Sequence, residues 1–255
     1  MTLLRASIDL NSDVGERPLA LLDDSERRLL QLVSSANIAS GGHAGDAESM
    51  KLVVDLCISL GVSIGAHPSY PDRTGFGRAK IDIGASALAE SISEQIQSLV
   101  IIARNAGATV RHVKPHGALY NAAVKNPELS MTIANAVAAI DKNLILVGLA
   151  GSTMLDVWRR VGFTVAGEAF ADRRYQSDGT LRPRSSEDAL ITNPDEVTKR
   201  VLTLIRDGEI RETDGTRFAV DAQTLCIHSD TENAIAIARS LRTGLQSAGI
   251  VVKSF

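Results

Sequence analysis

The stretch His112-Val-Lys-Pro-His-Gly-Ala-Leu-Tyr120 packs two imidazoles, a lysine and a phenol into a short span of a 255-residue chain that has five histidines. Imidazoles exchange protons near neutral pH, an ammonium holds developing negative charge, and a phenol donates a hydrogen bond. The other histidines keep similar company. His43 lies in Ser40-Gly-Gly-His-Ala-Gly-Asp46, His67 in Gly65-Ala-His-Pro-Ser-Tyr70, and His228 opens His-Ser-Asp230. Carboxylates occur in Asp9-Leu-Asn-Ser-Asp13 and in Glu168-Ala-Phe-Ala-Asp-Arg173. Each stretch follows a short apolar run. Together they could supply a base, an acid and a cation to one reaction centre.

The apolar runs read as strands: Ser7–Asn11, Ala36–Ala39, Val62–Ala66, Thr109–Val113, Leu144–Leu149, Thr164–Ala169 and Thr224–Ile227. Between them, apolar spacings of three and four predict helices over 47–60, 86–105, 128–140 and 231–247. A further helix opens at Asn193 and Pro194. This alternation predicts a parallel sheet with helical crossovers, closed into a barrel or left open. In either form the C-terminal strand ends share one rim, where active sites form. Strand parity places Asp9, Asn11 and Asp13 on one side, as it does His112, Lys114 and His116, and Cys226, His228 and Asp230. A lone strand histidine is more often packed than catalytic, and for His112, earliest in its strand, the two readings stand level. Five histidines on one rim are harder to explain by packing.

The chain reads as one domain over 1–255 with two insertions. Residues 173–192 are too polar and too long for an ordinary connection and suggest a lid. Residues 209–220 carry Asp214-Gly215 between strand-like runs, a hairpin signal. A 44% apolar content supports a full core, and the net charge of −3, with no basic stripe, argues against nucleic acid. No segment has the roughly 20 apolar residues of a membrane span. Early acidic residues interrupt any signal peptide, and two cysteines make no disulfide framework, so a cytoplasmic location is expected. Gly41 and Gly42 serve a tight turn as well as a phosphate loop, although the helix start after Asp46 retains an affinity for anions. Cys226 beside His228 reads as packing in preference to a nucleophile.

The blocks DLNSDVGE, ANIASGGHAGD, GAHPSYPDRTGFGR, RHVKPHGALYN, LVGLAGS, EAFADRRYQSDGTLRPRS and LCIHSDTENA resemble those of the 5-oxoprolinase A-component family, also called the LamB/YcsF family. The chain departs from that pattern at Ser40, where Cys is usual, at Gly42, where a large aromatic is frequent, and at Ser229, where Gly is common. The resemblance implies a seven-stranded (β/α) barrel akin to the glycoside hydrolase/deacetylase fold. It also implies ATP-dependent hydrolysis of 5-oxo-L-proline to L-glutamate, together with subunits B and C.

Such a site needs a base for water, a cation for oxygen charge and an acid for the ring nitrogen. Asp13 is the expected base, with Asp9 tuning it and Asn11 beside it. His43 and His67 would orient water or donate protons, Lys114 would hold phosphate or oxyanion charge, and His116 would be the acid. Arg173 and Arg174 would clamp the substrate carboxylate, with Tyr120, Asp172 and His228 as further contacts. No P-loop or kinase-type glycine loop is present, so ATP as co-substrate is expected on the partners. Two alternatives stay open. One is a stand-alone metal-dependent amide or N-acetyl hydrolase, using Asp13, His43 and His67 on a divalent ion. The other is a non-catalytic metabolite binder. Homo-oligomerisation is also open.

Overall fold

Strand β1 (Ser7–Val14) pairs in parallel with β2 (Ser35–Ala39), and β3 (Ser63–His67), β4 (Val110–Val113), β5 (Ile145–Leu149) and β6 (Val165–Phe170) follow in order. After a small antiparallel hairpin, β7 (Glu209–Arg211) with β8 (Arg217–Ala219), the chain enters β9 (Thr224–Cys226). Strand β9 pairs with β6 on one side and β1 on the other, with Asp9 opposite Thr224 and Asn11 opposite Cys226. That pairing closes a seven-stranded parallel α/β barrel and removes the open-sheet alternative. A short β10 (Val251–Val252) adds to the start of β1. The computed structural model describes residues 6–17, 24–212 and 214–255; residues 1–5, part of the stretch weighed as a signal segment, lie outside them.

The crossover helices are α1 (Ser25–Leu30), α2 (Ala47–Leu60), α3 (Ala85–Asn105), α4 (Gly117–Ala123), α5 (Pro127–Ala138), α6 (Thr153–Arg160), α7 (Pro194–Asp207) and α8 (Ala234–Ser247). Local chemistry sets their ends. Asp46 accepts from the Ser49 amide while the Ser49 hydroxyl bonds back to Asp46, a reciprocal cap that starts α2. Asn193 caps α7, whose first residue is Pro194. Leu88, Ile92, Ile96, Leu99 and Ala103 of α3 are buried, the face that the periodicity marked. The last helix starts at Ala234, later than its expected 231, because Asn233 takes a left-handed φ of 65°. Among the described residues no helix is long and apolar enough to cross a membrane.

Apolar side chains fill the space between barrel and helices, whereas much of the barrel interior is polar. Such an interior is stable only if its groups satisfy one another. At the floor, Asp9 accepts hydrogen bonds from the hydroxyls of Ser34, Ser35 and Thr224. Above it, Asn11 donates to Glu168 and Thr224 and accepts from Asn37. His112 donates from Nε2 to Asn37 Oδ1 at 2.8 Å, and burial pushes its pKa down to about 3. The packing reading holds for His112. Gly65 is required beside it, since a Cβ there would lie 2.0 Å from His112 Nε2.

Two predictions arise from this interior. Gly65→Ala should destabilise the barrel by about 1–3 kcal/mol or more, because the ring it strikes is enclosed and hydrogen-bonded. A urea midpoint equal to wild type would contradict the packing described. Burial raises the Asp9 pKa to about 6, against the pull of its three hydroxyl donors. A raised folded pKa stabilises below the unfolded value and loses that contribution as pH rises through about 6. Between pH about 4 and about 7, wild type should lose about 2 kcal/mol relative to Asp9→Asn. Parallel stability–pH curves for the two proteins would refute this.

Candidate active site

The loops above the C-terminal strand ends bring the remaining polar residues together. Gly15, with φ 73°, turns the chain after β1 so that Glu16 returns over the barrel mouth. Glu16 Oε1 lies 2.9 Å from His43 Nε2, 3.3 Å from His116 Nδ1 and 3.9 Å from His67 Nε2. His67 Nε2 lies 3.0 Å from His116 Nδ1 and 3.3 Å from Asp13 Oδ2. His43 stacks on His116 with ring centroids 3.7 Å apart, while its Nδ1 is buried without a partner.

Backbone carbonyls set the imidazole tautomers, since a carbonyl can only accept. His67 Nδ1–H donates to the Lys114 carbonyl at 2.7 Å, and His116 Nε2–H donates to the Phe76 carbonyl at 3.1 Å. In the neutral rings, His67 Nε2 and His116 Nδ1 are therefore the bare nitrogens, and they face each other. Phe76 holds its carbonyl there from a left-handed φ of 55°, a strained conformation for a bulky residue and one found at functional sites. Burial lowers the pKa of both His43 and His116 and keeps them neutral.

Lys114 sits beneath this group. Its ammonium lies 2.9 Å from Asp13 Oδ1, 2.8 Å from Glu168 Oε1 and 3.3 Å from Asn11 Oδ1. Burial alone would lower the Lys114 pKa, but the neighbouring acidic groups, Asp13 foremost, hold it well above the usual value. Burial likewise works against the Asp13 carboxylate, and His67 and Lys114 overcome it and keep Asp13 well below its ordinary pKa. Cys226 Sγ is 3.2 Å from the same ammonium, yet burial pushes its thiol well up. This residue is packing.

A cavity of about 480 Å³ opens over the cluster. Of the residues expected at the site, Asp13, His67, Lys114, His116, Tyr120, Arg173 and His228 line it. Tyr120 OH and Glu168 Oε2 are both buried without hydrogen-bond partners, and burial and Glu168 raise the tyrosine pKa strongly. The other expected residues lie elsewhere. Asp9 and Asn11 are below, within the interior network, and His43 is shielded behind His116. Asp172 accepts from the backbone and Nδ1 of His228 and from Thr231, so it holds His228 in place and does not line the cavity. Its pKa is depressed because His228 and these donors outweigh burial.

The paired clamp of Arg173 and Arg174 is corrected. Arg173 bridges to Leu190 in extended conformation, so adjacent side chains point to opposite sides. Arg174 therefore pairs with Glu196 at 2.8 Å and Glu212 at 3.7 Å, outside the cavity. Arg173 stays inside, with its Nε buried and unpartnered. The arginines that join it along the cavity wall are Arg78, Arg182 and Arg184. Asp230 ties Arg78 and Arg184 together, each at 2.7 Å.

Glu16, Glu168, Arg184 and Asp230 had no assigned role in the sequence reading. Glu168 shares strand parity with Asp172, so the parity rule applied to the other strands would have found it. Among the departures, Ser40 donates to the Ile38 carbonyl and accepts from the His67 amide. Any side chain at Gly42 would meet Gln95 Oε1 at 2.3 Å, so Gln95 fills that space. A second groove of about 920 Å³ lies between α1 and the start of α8, and no histidine lines it.

Removing the cation from under this cluster should be costly. Lys114→Met leaves Asp13 and Glu168 buried without their counter-charge, and should lose about 3–5 kcal/mol of unfolding free energy. Adding Glu168→Gln should restore part of that loss. A single variant as stable as wild type would show that the ion pair does not support the site.

Comparison with known proteins agrees over nearly the whole chain. The A component of 5-oxoprolinase from Chloroflexus aggregans is 48% identical over 248 residues, covering 97% of this chain and 98% of its own. The crystal structure of a lactam utilization protein from Thermus thermophilus superposes with a TM-score of 0.90 at 39% identity, covering 98% and 100% of the two chains. A family 4 carbohydrate esterase from Streptomyces lividans shares only the fold, with a TM-score of 0.51 at 16% identity over 96% and 91% of the chains. The family model matches residues 8–255, and the chain belongs to the LamB/YcsF family.

Proposed function

We propose that this chain is the hydrolytic A component of an ATP-dependent 5-oxoprolinase, opening 5-oxo-L-proline to L-glutamate in the cytoplasm with subunits B and C. The observation that carries this reading is the cavity. It places the Asp13 carboxylate and two bare imidazole nitrogens at its base and the buried, unpartnered Arg173 Nε in its wall. A small cyclic amide bearing a carboxylate matches both: the guanidinium takes the acid group and the ring carbonyl faces the cluster. Residues 173–192, which line one side of the cavity and are pinned by Arg184 to Asp230, act as a lid that excludes bulk water. The relation to a carbohydrate esterase supports placing this barrel with the deacetylase-type folds.

A five-membered lactam is a stable amide with a poor leaving group, so its oxygen must be activated first. The chain has no nucleotide-phosphate loop, and that task falls to the partners, which bind ATP and phosphorylate the ring oxygen. Here, water held above the cluster bonds to the ring carbon while Asp13 accepts its proton. The C–N bond then breaks as the two protons of that water pass, through Asp13, to the ring nitrogen, which leaves as the amine of γ-glutamyl phosphate; a second water then hydrolyses this acyl phosphate to glutamate and phosphate. A carboxyl with a depressed pKa is a modest base but a ready acid once protonated, which suits the second transfer. Two expected roles change. His116 has no proton on Nδ1 to donate and helps to fix the water, and Lys114 spends its donors on Asp13, Glu168 and Asn11 and acts as their counter-ion.

The isolated chain should show neither ATPase activity nor glutamate release from 5-oxoproline, and adding subunits B and C should restore both. In that reconstituted system, Asp13→Asn and His67→Asn should each lower glutamate release by about 10²–10⁴-fold with unchanged circular dichroism. Full activity from the purified chain with ATP alone would overturn the division of labour. Near-normal turnover by either variant would remove that residue from the mechanism.

A further inference from the structure

Four ligand-type atoms converge beside the proposed water position: Glu16 Oε1, His43 Nε2, His67 Nε2 and His116 Nδ1, all within 4.8 Å of one another. Their separations include 2.9 Å from His43 to Glu16, 3.3 Å from His116 to Glu16, 3.9 Å from His67 to Glu16 and 3.0 Å from His67 to His116. A tetrahedral ion about 2.0–2.1 Å from each of four N/O ligands has ligand–ligand edges of about 3.3 Å. The array is the size of one coordination sphere.

The hydrogen bonds behind these atoms suit the same occupant. The Lys114 and Phe76 carbonyls take the outer protons of His67 and His116, which leaves two lone pairs facing each other at 3.0 Å. Two lone pairs at that distance repel unless a positive centre, a shared proton or a metal ion, lies between them. An outer acceptor that fixes the tautomer and aims the bare nitrogen inward is the usual support of a metal-ligating imidazole. A second group, Asp13, Cys226 and His228, is also compact, but there the Lys114 ammonium already lies 2.9 Å from Asp13 and 3.2 Å from Cys226. That position has its cation.

We propose that Glu16, His43, His67 and His116 bind one divalent cation of the zinc class at the base of the cavity. The site deepens the hydrolase reading and rests on it: a cation here would hold the attacking water beside Asp13. Glu16, His67 and His116 line the cavity, so a water can approach the ion from the substrate side.

The test is direct titration of tag-free full-length chain, stripped by a chelator, with zinc chloride and, separately, cobalt chloride. One ion should bind per chain below the micromolar range, and the cobalt form should show the visible bands of five-coordinate N/O ligation, four protein atoms and one water. Glu16→Gln and His116→Asn, each checked for wild-type circular dichroism, should weaken zinc binding roughly 100-fold or more. Cys226→Ala should leave it unchanged. Absence of stoichiometric binding, octahedral cobalt bands, or binding that survives both ligand variants would overturn the proposal. Glutamate release with subunits B and C, measured separately on the stripped chain, tells the two readings apart. Turnover by a chain that binds neither zinc nor cobalt sinks the metal site alone, whereas tight binding without lactam turnover sinks the lactam reading alone.

Discussion

A single buried ammonium makes this barrel workable. Lys114 lies within hydrogen-bond distance of Asp13 and Glu168, deep in an interior where an isolated carboxylate would cost several kcal/mol. With that cation in place, Asp13 stays ionised at the mouth of a closed, water-poor barrel. Asn11 and Asn37 then carry hydrogen bonds from this centre to the wall, reaching Thr224 and His112. The polar network is continuous from the Asp9 floor to the rim. A typical barrel interior of branched aliphatic residues would hold the fold equally well, but could not present a charged carboxylate at its open end.

Above Lys114, positions are fixed by backbone atoms as much as by side chains. The Lys114 carbonyl orients His67 while its ammonium pairs with Asp13, so one residue supports two neighbours from opposite ends. The strained Phe76 carbonyl orients His116, and Asp172 orients His228. Such supports keep a site in its working geometry before substrate arrives, which is where most of the catalytic advantage of a preorganised site originates.

Much of the architecture was legible in the sequence. Seven apolar runs became the seven barrel strands, because strands covered on both faces must be apolar on their outer side and short enough to be recognised. Placing the histidines at C-terminal strand ends brought His43, His67 and His116 into one cluster. The failures have physical causes. Helices α4 and α6 are short, seven and eight residues, and offer too few turns for periodicity to show. Arg174 was expected beside Arg173 although extended neighbours point apart. Glu16 lies beyond its strand, and only the left-handed turn at Gly15 returns it to the site, a conformation that spacing does not encode. Strand parity correctly grouped Asp9 with Asn11 and Asp13 but carries no depth, so it could not tell a floor residue from one at the rim.

The reaction proposed for this chain is the opening of a ring that has already been activated. It is tested most directly with an O-alkylated lactim form of 5-oxoproline, which carries its activation chemically and needs neither ATP nor partner subunits. The isolated chain should add water to this compound and break the C–N bond, releasing the γ-ester of glutamate, and Asp13→Asn should not. An isolated chain inert towards the activated ring under conditions where the complete complex consumes 5-oxoproline would contradict it.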